Sequence, residues 1–446
     1  MKTIMPSKVA LKKYESSPTS LKQAIDLCEG FKALRSAARI LIKPNLVMWD
    51  PIVPIPPYGV FTTTRIVEDL VILLKEQGCS DITIGEGSVI IHGGESTGAA
   101  FTGLGYTALA KQYQVQLVDF NKSTAVTVKM EDGREAQLAR EALETDFFIN
   151  VPVLKTHGQT RVSLGIKNLK GCLKTATRKQ FHDPRYGLEN CIQWLPDILR
   201  PALTIIDGIY ALERGALQPG STAYRKNILI ASTDPLGADL AAAKTIGFKG
   251  EEIDHLKNYA ERTGRPLQIE AYDLKGDSLA DHITPLKWDW AWTQNNTGPI
   301  SFERMGIRGI AVPKYDNSLC SGCSPLVNMI NVLVTGAYKG TPFANVEILN
   351  GKKMQAHPGF DQTILLGNCI IAANRANPHI KKAIKVTGCP PTDESVYRAL
   401  NAAGIQADPA VYSQFLVRQV EKYRDKADFS KEFFQFAPVQ PNNERS

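Results

Sequence analysis

The chain has 446 residues, of which 43% are hydrophobic and 22% charged, and it carries a formal net charge of +7. That length is too great for one ordinary hydrophobic core and calls for two or three domains, with the composition of a soluble globular protein. No apolar run is long enough to span a bilayer, the start Met1–Lys8 lacks a signal-peptide apolar core, and eight cysteines in so long a chain do not make a disulfide scaffold; a cytoplasmic protein without a membrane span is expected.

The first 250 residues alternate strand and helix signals. Arg39–Val47 reads as a strand ended by Pro44 and Asn45, Thr64–Gly78 as an amphipathic helix closed by its glycine, and Asp81–Ser88 as a strand entering a glycine loop. A helix at Tyr106–Tyr113 and strands at Val115–Phe120, Asp146–Pro152, Leu203–Gly208 and Asn227–Ser232 follow, then a helix at Pro235–Ile246 behind the N-cap candidate Asp234. This alternation predicts an α/β fold with a mainly parallel sheet in the N-terminal domain. Polar residues gather where the strands end: Lys43 and Asn45, Glu86 and Ser88, Lys155, Thr156 and His157, and Asp207. In a parallel sheet such positions meet at the carboxyl edge, where ligands bind.

Residues 1–263 therefore form the first expected unit. The stretch Gly264–Pro299, with Trp288, Trp290 and Trp292, breaks the alternation and reads as a connector packed between domains, taken here as 264–307. A smaller α/β module is expected at 308–405, and an amphipathic helix around Tyr412–Lys426 precedes a polar end from Gln440 that should fray, together 406–446.

From Lys155 to Arg185 there are eight Lys or Arg residues against one acid, Asp183. That local excess equals the net charge of the whole chain. It suits a small polyanion, an acidic protein or a solvated basic surface; with Phe181 as its one aromatic for base stacking, nucleic acid is an unlikely partner. The segment holds Asn150-Val-Pro-Val-Leu-Lys-Thr-His-Gly and Lys167-Asn-Leu-Lys-Gly171, which resemble the signature of the bacterial and archaeal Domain of Unknown Function 362 family. Lys43-Pro-Asn45, Gly85-Glu-Gly-Ser88, Asp207-Gly208 and Ser232-Thr-Asp-Pro-Leu-Gly-Ala-Asp239 match other landmarks of that family, over most of residues 38–250. The resemblance implies a fold distantly similar to that of lactate racemase, whose nickel-pincer cofactor is held by Lys and His, and it often goes with an appended iron–sulfur region. On these grounds Lys155, His157 and Lys167 are the candidate catalytic residues. Lys43, Asn45, Glu86, Ser88, Asn168, Lys170 and Asp207 are the candidate substrate contacts.

Four cysteines near the C-terminus stand out: Cys320 and Cys323 in Cys-Ser-Gly-Cys-Ser-Pro, Cys369 in Gly-Asn-Cys, and Cys389 in Gly-Cys-Pro-Pro. The last two each follow a short apolar run that reads as a buried strand breaking at glycine, so the cysteine falls in the next loop. Cys320 and Cys323 precede Ser324-Pro-Leu-Val-Asn-Met-Ile, a helix start. Spacing alone leaves zinc, a redox dithiol or buried small hydrophobes open. The series resembles the cluster-bearing flavodoxin-like module of nickel–iron hydrogenase small subunits and the related complex I subunit, from about Val312 to Ala403. That resemblance implies one [4Fe–4S] cluster on Cys320, Cys323, Cys369 and Cys389, while Cys28, Cys79, Cys172 and Cys191 read as core.

Together these readings lead to an iron–sulfur oxidoreductase acting on a small anionic substrate, with an electron-donor protein as a partner. The alternatives are a non-catalytic electron-transfer or assembly subunit, and a non-redox isomerase or ligase-like enzyme with a structural cluster. A four-cysteine set favours electron transfer over Lewis-acid chemistry, because an iron acting as a Lewis acid needs an open coordination position.

Overall fold

The computed structural model describes residues 6–50, 55–90, 96–215 and 220–436. Ile40-Leu-Ile-Lys-Pro44 is buried at every position, which a strand achieves where both faces of its sheet are covered. Ile40 and Ile42 point into one core with Leu70, while Leu41 points into the opposite one with Phe120 and Phe148.

The strands in chain order are β1 (Lys8–Lys13), β2 (Ile40–Pro44), β3 (Ile82–Glu86), β4 (Gln116–Asp119), the separate hairpin β5 (Ala125–Lys129) and β6 (Glu135–Ala139), then β7 (Phe147–Val151), β8 (Val153–His157), β9 (Arg161–Ser163), β10 (Leu203–Glu213), β11 (Thr222–Ser232) and β12 (Asp273–Gly276). Ten of them form one sheet in the order β12-β1-β11-β10-β7-β2-β3-β4, with β8 pairing β10 and β9. From β10 through β7, β2 and β3 to β4 the pairing is parallel, and β1, β10 and β11 pair antiparallel.

Two features differ from the sequence reading. Both β10 and β11 run for eleven residues, well past Gly208 and before Asn227. Asp207 therefore lies within a strand and not at its end. The segment read as a connector contributes β12, which pairs parallel with β1 at the sheet edge and so belongs to the large sheet. Helices start and stop where their chemistry directs: the Thr63 side chain caps Thr64–Glu76 by accepting from the Ile66 N–H, and Asp234 caps Pro235–Thr245 by accepting from Leu236 and Gly237.

The C-terminal part has its own four-stranded parallel sheet, β13 (Ile310–Ala311), β14 (Val346–Leu349), β15 (Gln362–Leu366) and β16 (Ala383–Val386), in that spatial order. Its core gathers Ile330, Ile348, Ile364 and Leu400. The helix Pro409–Glu421 packs on the helix Ser324–Ala337, and the chain then returns to the large sheet, where Tyr423, Phe429 and Phe434 ring Tyr58. The polar end expected from Gln440 lies outside the described residues. Among those residues no helix is long and apolar enough to cross a membrane.

Candidate functional site

The carboxyl ends of β2, β3 and β8 open onto a cavity of about 220 Å³. One side is built by Lys43, Asn45, Glu86, Lys155, His157, Lys167, Asn168 and Lys170; the other by the C-terminal part, through Tyr315, Leu319, Ser321, Ser324, Pro325 and Tyr412. Five of its lining side chains are cationic, Lys43, Lys155, Lys167, Lys170 and Arg178, against the single carboxylate of Glu86.

Three of the four lysines are partnered. Lys43, fully buried, pairs with Glu86 at 2.9 Å and donates to the Pro44 carbonyl. Glu86 in turn accepts from the Leu46 and Gly87 N–H groups, so this carboxylate is spoken for. Lys155 donates to Asn45 Oδ1 at 2.6 Å and to the Val60 carbonyl at 2.8 Å; burial, with Lys167 nearby, pushes it down to about 7. Lys170 lies 2.6 Å from His182 Nε2, and burial beside Lys167 and Arg178 holds it well below the usual lysine range. His182 Nδ1 faces the Asn317 carbonyl at 2.9 Å. A carbonyl can only accept, so Nδ1 carries the ring proton and Nε2 accepts from Lys170.

Lys167 differs from the other three. It makes no hydrogen bond or ion pair with any described residue, and burial lowers it to about 8 against the opposing pull of Glu189. A desolvated cation without a partner costs free energy that an incoming anion would offset. Beside it, His157 accepts the Gln159 N–H at Nδ1, which leaves Nε2 as the protonated nitrogen of the neutral ring, and burial among these lysines keeps the ring from charging.

The helix Gly165–Asn168 carries Lys167 and is anchored from behind. Asp239 Oδ1 and Oδ2 accept from the Gly165 and Ile166 N–H groups at 2.6 and 2.9 Å. Asn168 joins Asn45 and Asn150 in a chain of side-chain amides, Asn45 Nδ2 to Asn168 Oδ1 at 2.9 Å and Asn168 Nδ2 to Asn150 Oδ1 at 2.8 Å. A Cβ on Gly171 would fall 2.3 Å from Glu86 Oε1 and 2.7 Å from Lys43 Nζ, so glycine is what lets this turn cover the ion pair. Ser88 and Asp207 do not line the cavity. Ser88 donates to the Leu46 carbonyl, and Asp207 accepts from the Thr63 and Ile209 N–H groups inside the sheet, so both act on backbone.

The basic segment is largely internal. Lys174 donates to the carbonyls of Phe120, Asn121 and Ser123, Arg178 to those of Gly87 and Ser88, and Arg161 lies over Trp288. Arg185 is the exposed member and pairs with Asp183. Sequence reasoning missed Arg178, Gln159 and His182. All three were in reach, since they sit inside the basic segment read for its charge alone.

A second, smaller cavity is lined by Cys320, Cys323, Cys369 and Cys389, with Lys352 and the glycines at 351, 367 and 388. These residues lie in the connections that follow β13, β14, β15 and β16, the carboxyl edge of the small sheet. Cys369 differs from its expected loop position by sitting in the first turn of the short helix Asn368–Ala373. Cys320 is buried, Cys323 half-buried, and Cys369 and Cys389 are exposed. The contact with Cys323 pulls the Cys320 thiol down to about 5, while Cys323 itself is raised by the same contact and by burial. Lys179 Nζ is 3.0 Å from the Cys389 carbonyl and 3.5 Å from its Sγ. Among the described residues no three His, Cys, Asp or Glu side chains form a group that could hold a metal ion; the thiols ring a cavity without closing on one point. A donor set of thiols alone, without carboxylate or imidazole, suits a cluster of iron and sulfide or a zinc ion.

The two cavities share a wall. Along one loop, Ser318, Cys320 and Cys323 face the cysteine cavity, and Leu319, Ser321, Ser324 and Pro325 face the lysine cavity. Gln159 Nε2 holds that loop by donating to the Asp316 and Leu319 carbonyls at 3.0 and 2.9 Å.

Residues 40–244 match the family model described as Domain of unknown function (DUF362). A thylakoid-associated protein of Synechocystis sp., sll1697, is 28% identical over 207 residues, 45% of this chain, and the match spans 60% of that relative's length. The lactate racemase apoprotein of Thermoanaerobacterium thermosaccharolyticum aligns at 11% identity with a TM-score of 0.33, over 54% of this chain and 57% of that one.

Proposed function

We propose that the chain is a cytoplasmic [4Fe–4S] oxidoreductase that acts on a small anionic substrate. The observation that carries this reading is the shared wall: one loop, residues 318–325, lines the cysteine cavity with one set of side chains and the lysine cavity with the set between them. Cys320, Cys323, Cys369 and Cys389 would hold the cluster, which supplies or accepts one electron at a time when bound. Lys167 would attract the anion, Lys155 and His157 would orient it and exchange its protons, and Asn45 and Asn168 would fix the lysines in place. Leu319, Pro325 and Tyr412 would keep water from the reacting atoms on the far side. Eight free cysteines go with a reducing compartment.

The exposure of Cys369 and Cys389 supports a partner protein on the opposite face of the cluster, as the electron donor of this enzyme or, in a second reading, as the destination of a non-catalytic carrier. A potentiometric titration followed by electron paramagnetic resonance separates the two. In the enzyme, phosphate or a small carboxylate bound at Lys167 places negative charge behind the cluster loop and makes reduction harder. Potentials and spectra that stay the same with and without an anion first shown to bind would favour the carrier.

A further inference from the structure

The wall of the cavity that faces the lysines carries polar groups which the anion site does not use. Asn328 lines it from the helix Ser324–Ala337, one turn on from Ser324 and so on the same face. The residue is 7% exposed, and its side-chain amide makes no hydrogen bond with any described residue. Its helix neighbours Leu326, Val327, Met329 and Ile330 are buried and apolar, so packing alone gives no reason for an amide at this position. Ser321, half-buried on the loop shared with the cysteine cavity, has a hydroxyl that likewise bonds to no described residue. On the lysine side the same holds for Ser163, which is 6% exposed, lines the cavity and stands directly opposite Lys155 in the pairing of β8 with β9. Buried polar groups are nearly always hydrogen-bonded, and one left open gives up free energy that a matching ligand group restores.

The two walls differ in charge. On the lysine side Lys155 and Lys170 bond only to neutral groups and Lys167 to none, while Glu86 serves Lys43. The far wall contributes Ser321, Ser324, Asn328, Tyr315 and Tyr412, and none of its described side chains is a carboxylate, a lysine or an arginine. We propose that the ligand of this cavity is the phosphate monoester of a small polyol, with its phosphate at Lys155, Lys167, Lys170 and Ser163 and its hydroxyl groups at Asn328 and Ser321. The inference names the substrate class of the anion site and rests on the function proposed above.

Each end of such a ligand answers to one wall. A phosphate monoester is close to a dianion at neutral pH and has three terminal oxygens, so it can meet three separate ammonium groups, where a carboxylate brings one charge and two oxygens. Lysine, a point charge on a flexible stem, suits that arrangement, and the Ser163 hydroxyl beside Lys155 donates to one more oxygen lone pair. At the other end the Asn328 amide donates through Nδ2 and accepts at Oδ1, and a hydroxyl group also does both, so the two match in either direction. A second anionic group there would find no cation, and an apolar body would leave the amide unpaired. The remaining partner for a hydroxyl is Ser321, which the Gln159 bond to the Leu319 carbonyl helps to hold at the cavity.

Isothermal titration calorimetry of the full chain at pH 7 tests this with inorganic phosphate, glycerol 3-phosphate, propyl phosphate and glycerate. Propyl phosphate keeps the length and charge of glycerol 3-phosphate and lacks its hydroxyl groups. Glycerol 3-phosphate should bind roughly tenfold more tightly than propyl phosphate, because hydrogen bonds to otherwise unpaired buried groups discriminate several-fold each, and it should also bind more tightly than glycerate. Asn328→Leu, an apolar change of similar size on an apolar helix, should cut the preference over propyl phosphate to about twofold or less and leave the affinity for inorganic phosphate as in the wild type. A residue that merely packs would change stability and not this preference. Equal binding of glycerol 3-phosphate and propyl phosphate by the wild type overturns the polyol assignment without any variant, tighter binding of glycerate overturns the phosphate ester, and a preference that survives Asn328→Leu overturns the contact with Asn328. Wild-type protein that binds no inorganic phosphate refutes the anion cavity and this inference with it, whereas phosphate binding without a preference for hydroxyl groups refutes this inference alone.

Discussion

Replacing Lys167 with methionine should make the ligand-free protein more stable near pH 7 and insensitive to phosphate. Lys167 is half-buried, has no hydrogen-bonding or ion-pair partner among the described residues, and desolvation pushes it from 10.5 down to about 8. At about 1.4 kcal/mol per unit that drop corresponds to about 3 kcal/mol of strain in the charged form, an upper figure because the side chain still meets cavity solvent. The sign follows from linkage. A lysine whose folded value is depressed binds fewer protons when folded than when unfolded between about 8 and 10.5, so stability rises with pH through that window and the full cost is present below it. Methionine has a similar reach and no charge, so the variant escapes the cost.

A gain of roughly 1–3 kcal/mol, several degrees in Tm for a unit of this size, is therefore expected at pH 7, shrinking towards zero by about pH 10. Phosphate at about a hundred times its dissociation constant stabilises a protein that binds it by roughly 2.7 kcal/mol, and the variant should lose that response. Differential scanning fluorimetry over a pH series, with and without phosphate, measures both effects. A variant less stable than wild type at pH 7, or one that keeps the full phosphate response, would refute the view of Lys167 as an unpartnered cation held for an anion.

Lys43→Met should behave in the opposite way, since it leaves Glu86 buried without its countercharge; a loss of about 3–5 kcal/mol in denaturant unfolding is expected, and a loss below about 1 would mean that the Leu46 and Gly87 N–H groups satisfy the carboxylate alone. Single Cys→Ser changes at Cys320, Cys323, Cys369 and Cys389 should each lower iron and sulfide content in anaerobically purified protein, while the same change at Cys28 or Cys79 should not. Unchanged content in two or more of the four variants would rule out this ligand set.

The local patterns of the sequence were informative where one residue type answers to one physical demand. The apolar runs of β2, β3 and β7 announced buried strands, Asp234 stands where capping chemistry puts it, and the glycines before Cys369 and Cys389 end β15 and β16 as their breaks suggested. The edge of the large sheet was not legible. β1 is placed by pairing with β11 and β12, segments more than 200 residues away, and no local pattern carries that information; β10 and β11 form a hairpin in which β10 runs on past Gly208 and β11 starts before Asn227. Asp207 illustrates the cost of missing it: a polar residue taken for the end of a short strand is an internal anchor for the Thr63 backbone. Among the cavity residues, the lysines and His157 could be singled out from the sequence, but their partners could not. That Lys43 is tied to Glu86, Lys155 to Asn45 and Lys170 to His182, while Lys167 is left over, depends on side-chain directions that only the assembled fold provides.

An excess of buried positive charge is the kind of arrangement that folding alone would remove. Four lysines and an arginine surround a cavity with one carboxylate, and that carboxylate already serves Lys43 and two N–H groups. Replacing such cations by apolar residues is generally neutral or stabilising, so an anion bound at the proposed site would recover free energy that these cations withhold from folding. Donors held in position before the anion arrives need no reorganisation to receive it. The cysteine loop is tied to this same cavity by Gln159 at the Asp316 and Leu319 carbonyls and by His182 at the Asn317 carbonyl, whose ring also accepts from Lys170. On the proposed reading, a charge neutralised at the lysines would be felt within three residues of Cys320, through hydrogen bonds already present and with no movement of one domain against the other.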